Sequence, residues 1–183
     1  MSEQLALVTG AGIGLGRATA LALAETGYRV MVTDVLIEEG QSVVTEIRER
    51  GGNAEFHALD VTDTPATNTV LEKIQSHHGA LSALVLNAGI ARTLPLVSLQ
   101  DEAWDETLNV NLKGMMRVMR AAIPGMQENG AGAIVCLSSI VGAVLGWSDH
   151  IPYVASKGGV MGMVRSAALE FAGNGIRVNG LTI

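Results

Sequence analysis

Cysteine, aromatic residues and basic charge are all scarce in this chain, and each shortage excludes something. Cys136 is the single cysteine. No disulfide can form within the chain, and its place in the apolar run AIVCLSS reads as a small buried hydrophobe. Aromatic residues make up 3% of the sequence, and 12 Lys and Arg are outnumbered by 18 Asp and Glu, a net charge of -6. Without a basic stripe or interleaved aromatics to track a phosphate backbone, nucleic acid is not an expected partner. Long hydrophobic runs are missing too. The most apolar window, residues 131–147, is interrupted by Gly132, Ser138, Ser139, Gly142 and Gly146, and falls short of the ~20 residues that a membrane-spanning helix needs. The opening MSEQLALV has no basic segment of the kind that starts a signal peptide. These absences lead to the expectation of a soluble protein of a reducing compartment, the cytoplasm, with no membrane, nucleic-acid or metal partner.

What is present is a pattern. The 183 residues, 48% hydrophobic and 16% charged, suit one globular domain over 1–183. Short β-type runs recur at 5–8, 29–33, 54–58, 83–87, 133–138 and 177–183, and five helical segments alternate with them. The segment Glu38 to Arg50 places Val43, Val44 and Ile47 on one face and stops at Gly51 and Gly52. Pro65 to His78 follows Asp63 and Thr64 and shows Val70, Leu71 and Ile74. Strict alternation predicts an α/β fold, a doubly wound parallel sheet of the Rossmann type with helices on both faces. The nearly continuous Val, Leu, Ile and Ala of the strands agree, because strands covered on both faces need no polar alternation.

In such sheets ligands sit beyond the carboxyl ends of the strands, where the first loop meets a helix N-terminus whose free N–H groups favour phosphate. That loop here is TGAGIGLG, with Thr9, Gly10, Gly12, Ile13, Gly14, Leu15 and Gly16. It does not fit G-x-G-x-x-G, since Leu15 or Arg17 falls where the third glycine belongs. The spacing T-G-x-x-x-G-x-G meets the same needs with a longer turn, and a pyrophosphate is the expected ligand. Asp34 closes the second run, 20 residues after Gly14. A carboxylate there can accept both adenosine ribose hydroxyls and repels a 2′-phosphate, and neither the loop nor Val35 offers a cation for one. NAD is therefore expected over NADP.

A second constellation lies near the end. Tyr153 and Lys157 are four residues apart in PYVASK and can share one helix face. A free tyrosine has a pKa of about 10, and a neighbouring ammonium lowers it, so the pair reads as a general acid/base. Ser139 ends the fifth apolar run, where its hydroxyl could donate to a substrate oxygen, with Ser138 as its competitor. Asn111, in WDETLNVNLKGMM, falls on the stripe that otherwise reads as core, and a buried amide must be hydrogen-bonded.

Together these residues resemble the short-chain dehydrogenase/reductase family from Leu5 to Ile183. The marks are TGAGIGLG, Asp34, Asp60-Val61, the NAG of Asn87, Ala88 and Gly89, Asn111, Ser139, Tyr153 with Lys157, and RVN at 177–179; Leu86 stands where the family often has a second Asn. The resemblance implies Tyr153 as proton donor and acceptor, Lys157 lowering its pKa and holding the nicotinamide ribose, Ser139 polarising the carbonyl, and Asn111 anchoring a water of the proton relay. Asp60 and Val61 would flank adenine, and Asn87 to Gly89 would wall the cofactor.

The implied activity is reversible hydride transfer between NAD and a secondary alcohol or ketone. A 3-oxoacyl-thioester reductase is one alternative, and a non-catalytic nucleotide-binding protein whose site does not close is another. A methyltransferase would share the loop and the acidic residue but has no use for Tyr153, Lys157 and Ser139. The resemblance also places a substrate lid and a last strand after residue 183, so the C-terminal part of the fold is expected to be missing. Thr93, Leu94, Leu145, Trp147 and His150 remain as pocket candidates, His150 reading as a solvated loop residue. The methionines 115, 116, 119, 161 and 163 read as helix faces or interfaces. The helices after Ser98 and Pro152 would pair in a homodimer or homotetramer, with Ala155, Gly158, Gly159 and Gly162 allowing close approach.

Overall fold

The computed structural model describes residues 4–183; Met1 to Glu3, the start of the segment read as lacking a leader, lie outside the described residues. Six parallel strands form one sheet in the order β3-β2-β1-β4-β5-β6. They are β1 (Leu5–Thr9), β2 (Arg29–Asp34), β3 (Asn53–Ala58), β4 (Ala83–Leu86), β5 (Gly132–Ser138) and β6 (Ile176–Thr182). Each boundary lies within about a residue of the apolar run that predicted it, which is the scatter expected of element ends. The central strands β1 and β4 are buried at every position, as apolar runs covered on both faces require.

Side chains along each strand alternate between two cores. Leu5, Leu7 and Met31 pack toward α3 (Thr64–His78), α5 (Met115–Asn129) and α7 (Ile151–Phe171), with Leu71, Ile74, Val118, Met126 and Val160. Val8, Val30 and Val32 pack the other way, toward α1 (Gly14–Glu25) and α2 (Ile37–Glu49), with Ala20, Val43 and Ile47. Local signals place the helix ends. The Asp63 side chain accepts the Ala66 N–H at 2.9 Å to cap α3, Pro65 follows in its first turn, and Gly79 at φ 87° ends it.

Two departures from simple alternation bear on function. α4 (Asp101–Leu108) does not run directly into α5, because Asn109–Gly114 is wound as a π-helix, a form that collects at functional positions. After β5, α6 (Ile140–Ala143) is a single broken turn in which Gly142 has φ 97°. An added Cβ at Gly142 would come within 2.4 Å of the Val154 carbonyl, so only glycine lets this loop lie against α7. The strand order reverses direction between β1 and β4, and the crevice outside their carboxyl ends is where ligands bind in such sheets. No helix among the described residues is long and apolar enough to cross a membrane.

Candidate active site

A crevice of about 680 Å³ opens at that switch point, lined by Gly10, Ile13, Gly14, Leu15, Asp34 and Val35 on one side and by Asp60, Val61, Asn87, Ala88 and Gly89 on the other. The glycine loop enters α1 at Gly14, with Gly10 at φ 63° and Gly14 at φ 55°. Gly16 is sterically required: a Cβ there would sit 2.0 Å from the Gly10 carbonyl oxygen. Asn87 locks this approach by donating Nδ2 to the carbonyls of Thr9 and Gly10 at 3.0 and 2.9 Å. Thr9 Oγ1 in turn accepts the N–H groups of Asn87 and Ala88 at 3.0 and 3.1 Å. The sequence placed Asn87 and Thr9 at the site; the structure adds that they bind each other's loops.

Asp34 is buried at the end of β2 and borders the crevice. Its Oδ2 accepts the Gly12 N–H at 2.7 Å and its Oδ1 the Leu36 N–H at 3.0 Å. The carboxylate is thereby held by two backbone donors, and each oxygen keeps a lone pair for a ligand hydroxyl. Gly12 serves this contact, since a Cβ on it would stand 3.0 Å from Asp34 Oδ2. Asp60 accepts the N–H and hydroxyl of Thr62 within its own turn at 2.8 and 2.7 Å. Exposed apolar side chains of Ile13, Leu15 and Val35 rim the crevice, which suits a nucleotide of flat base and polar phosphates.

Farther along the same edge, β5 and α7 bring Ser139, Tyr153 and Lys157 together. Ser138 Oγ donates to the Lys157 carbonyl at 2.8 Å and is turned toward α7. Ser139 Oγ accepts from the Val141 N–H at 3.2 Å and donates to the Ile183 carbonyl at 3.1 Å. Lys157 is buried, donates Nζ to the Leu137 carbonyl at 2.6 Å, and lies 5.6 Å from the centre of the Tyr153 ring. Burial brings its ammonium down to about 8. Burial likewise pushes the adjacent Cys136 thiol up to about 12, which fits the reading of Cys136 as an inert hydrophobe.

Asn111 is fully buried, and its side chain is satisfied within the protein. Oδ1 accepts the Ile90 N–H at 2.7 Å, and Nδ2 donates to the Ile90 carbonyl at 2.8 Å and to Ser156 Oγ at 3.1 Å. Ser156 Oγ donates to the Tyr153 carbonyl at 2.7 Å. The amide therefore ties the loop after NAG to the turn that carries Tyr153, a positioning link that spacing alone did not disclose.

Arg117 was not singled out in the sequence. It is buried, donates Nε to Thr64 Oγ1 at 2.9 Å, and reaches the Val61 carbonyl and the Asn109 side chain at 3.3 and 2.8 Å, bracing the floor of the crevice from behind. The signal available was a charged residue inside the otherwise apolar face Met115, Val118, Met119 and Ala122.

The pocket candidates divide. Trp147 and Leu145 are exposed, whereas His150 is buried rather than solvated, stacked on Trp147 with ring centres 3.6 Å apart. A close-packed ring face replaces the water expected around a loop histidine. Gly158 and Gly159, expected to serve a partner chain, also have uses inside this one: added Cβ atoms would meet the Gly142 carbonyl at 3.0 Å and Leu112 Cδ2 at 2.8 Å.

Comparison with known proteins matches residues 4–183 to the family described as short chain dehydrogenase. The chain is similar to a 3-oxoacyl-(acyl-carrier-protein) reductase of Thermotoga maritima, 40% identical over 181 residues, covering 99% of this chain and 73% of that protein. It is equally similar to the cis-4-hydroxycyclohexanecarboxylate dehydrogenase of Sinomonas cyclohexanicum, 40% identical and covering 98% and 72%. Among solved structures, a metagenomic short-chain oxidoreductase in complex with NADP superposes with a TM-score of 0.94 at 36% identity, over 98% of this chain and 81% of that one.

Proposed function

The chain belongs to the short-chain dehydrogenase family, and from that premise we propose that it interconverts a secondary alcohol and its ketone with NAD as the hydride carrier. The observation that carries the choice of NAD is Asp34, a buried carboxylate fixed by the Gly12 and Leu36 N–H groups at the edge of the crevice. Its free lone pairs accept the adenosine ribose hydroxyls, and its charge opposes a phosphate at the 2′ position.

In this reading Gly10 to Gly16 cradle the pyrophosphate at the N-terminus of α1, Asp60 and Val61 flank adenine, and Asn87 to Gly89 wall the nicotinamide side. When bound, NAD supplies the carbon that takes the hydride. Ser139 turns its hydroxyl from the Ile183 carbonyl to the substrate oxygen, and Tyr153 takes the hydroxyl proton. Lys157, with its ammonium 5.6 Å from the centre of the Tyr153 ring, stabilises the phenolate that accepts this proton and donates to the nicotinamide ribose. Asn111, whose amide is spent on Ile90 and Ser156, keeps the Tyr153 turn in register with the loop after Gly89 rather than anchoring a relay water with its side chain.

Residues 1–183 make up one cofactor-binding unit in this reading. The chain works in the cytoplasm as a homodimer or homotetramer, and the exposed Leu169 lies on the α7 side available to a partner. The relative from Thermotoga maritima and the neighbour with NADP favour a second reading, a 3-oxoacyl-thioester reductase.

Initial rates with NAD and NADP on a panel of secondary alcohols, for the wild type and Asp34→Ser, separate the two. Wild-type kcat/KM is expected to favour NAD on the order of 100-fold, as two charge-assisted hydrogen bonds allow, with most of that preference lost in the variant. A wild-type preference for NADP removes the NAD assignment and leaves the reductase.

A further inference from the structure

The wall beside Tyr153 has a chemistry of its own. Trp147 stacks one face on His150, with ring centres 3.6 Å apart and planes within 3°. Its ring centre lies 5.9 Å from that of Tyr153, with the two planes at 85°. His150 is held at both ring nitrogens, Nδ1 to the Ser148 carbonyl at 2.8 Å and Nε2 to Thr93 Oγ1 at 3.5 Å. The neighbouring Asp149 carbonyl accepts the Leu94 N–H at 2.6 Å. Trp147 is therefore a fixed plate beside the phenol, yet 48% of its surface is exposed. Ile140, Val144 and Leu145 of the same segment are exposed as well.

The same wall is poor in positive charge. From Ser139 to Pro152 the sequence contains no Lys or Arg, and its acidic residue is Asp149. Lys157, bound to the Leu137 carbonyl and 5.6 Å from the Tyr153 ring centre, serves the phenol and the cofactor in the reading above. Arg92, on the loop leading to Thr93, is taken by both carboxylate oxygens of Glu106 at 2.7 and 2.6 Å. The lack of Lys or Arg between Ser139 and Pro152, where Asp149 lies, disfavours a substrate carboxylate or phosphate on this segment.

We propose that Trp147 determines specificity, and that the substrate is an uncharged, ring-bearing secondary alcohol or ketone whose ring packs on the exposed part of Trp147 while its oxygen reaches Tyr153. This rests on the dehydrogenase reading above. A rigid aromatic plate favours a rigid ring over a flexible chain, because the ring offers a matching flat face and loses less conformational freedom on binding.

The test compares kcat/KM with NAD for cyclohexanol, 2-propanol and a carboxylate-bearing 2-hydroxy acid in the wild type, Trp147→Phe and Trp147→Ala. In Trp147→Ala, cyclohexanol is expected to lose roughly 10–100-fold and 2-propanol less than about threefold, with Trp147→Phe keeping most of the ring activity. Equal losses on cyclohexanol and 2-propanol would make Trp147 a prop for Tyr153 and overturn the proposal. A wild type that prefers the hydroxy acid would overturn it too. If no alcohol turns over, the fluorescence of Trp147 in a Trp104→Phe background is titrated with cyclohexanone. Saturable quenching then keeps the ring site while removing the dehydrogenase reading, and its absence removes the ring site.

Discussion

At the β1/β4 end of the strand edge, polar groups are bound to one another before any ligand arrives: Asn87 to Thr9 and Gly10, Asp34 to Gly12 and Leu36. At the β5/α7 end, the chemistry-bearing Ser139 and Lys157 are buried, but the wall around them leaves Val144, Leu145 and Trp147 facing water. The first region is assembled by the fold itself, the second only in part. Changes in the first are therefore felt in folding and cofactor affinity together, and changes in the second mainly in turnover.

The largest expected effect separates the two regions outright. Tyr153→Phe should lower kcat by about 10²–10⁴-fold while leaving NAD affinity within about twofold, since it removes a proton carrier and no part of the cradle. Single-turnover rates and NAD titration check this, and a comparable loss of NAD binding would merge the two regions.

A smaller effect tests how dry the reacting end is. Lys157 stands at about 8 in the folded protein against its ordinary 10.5. Between those values the folded chain has released a proton that the unfolded chain still holds, so stability should rise with pH across about 8 to 10.5 and be flat from this group below it. The full increment is about 3 kcal/mol. Urea midpoints from pH 7 to 10.5 should show it in the wild type and not in Lys157→Met; parallel curves would mean the ammonium is better solvated than its burial implies.

The smallest concerns the cradle. Gly16→Ala forces a Cβ against the Gly10 carbonyl, and overpacking of this kind costs about 1–3 kcal/mol. Thermal melts with and without NAD should show a lower Tm and a smaller shift on adding NAD. An unchanged Tm with an unchanged NAD shift would show that the loop can move aside at little cost.

Much of this was legible in the residues. Strand runs, glycine turns and the cap at Asp63 encode local geometry, because backbone sterics and apolar periodicity act over a few neighbours. The same locality explains why TGAGIGLG, Asp34, Ser139, Tyr153 and Lys157 could be picked out by type and spacing. What could not be read was pairing across the fold. Ser138 and Ser139 are equivalent as strand-end hydroxyls until α7 supplies the Lys157 carbonyl to one of them. His150 looked like a loop residue until Trp147 covered its face. Arg117 stood out only as a charge on an apolar helix face, and its role appears where Val61, Thr64 and Asn109 converge on it.

By itself, then, the sequence determined the alternating β and α segments and the family resemblance, since each depends on residue type at short range. Tertiary structure alone decided that Ser138 is bound to the Lys157 carbonyl, that Asn111 joins Ile90 to Ser156, and that Trp147 is a fixed plate beside Tyr153. Those outcomes depend on groups far apart in the chain competing for the same hydrogen bonds and the same water-free space.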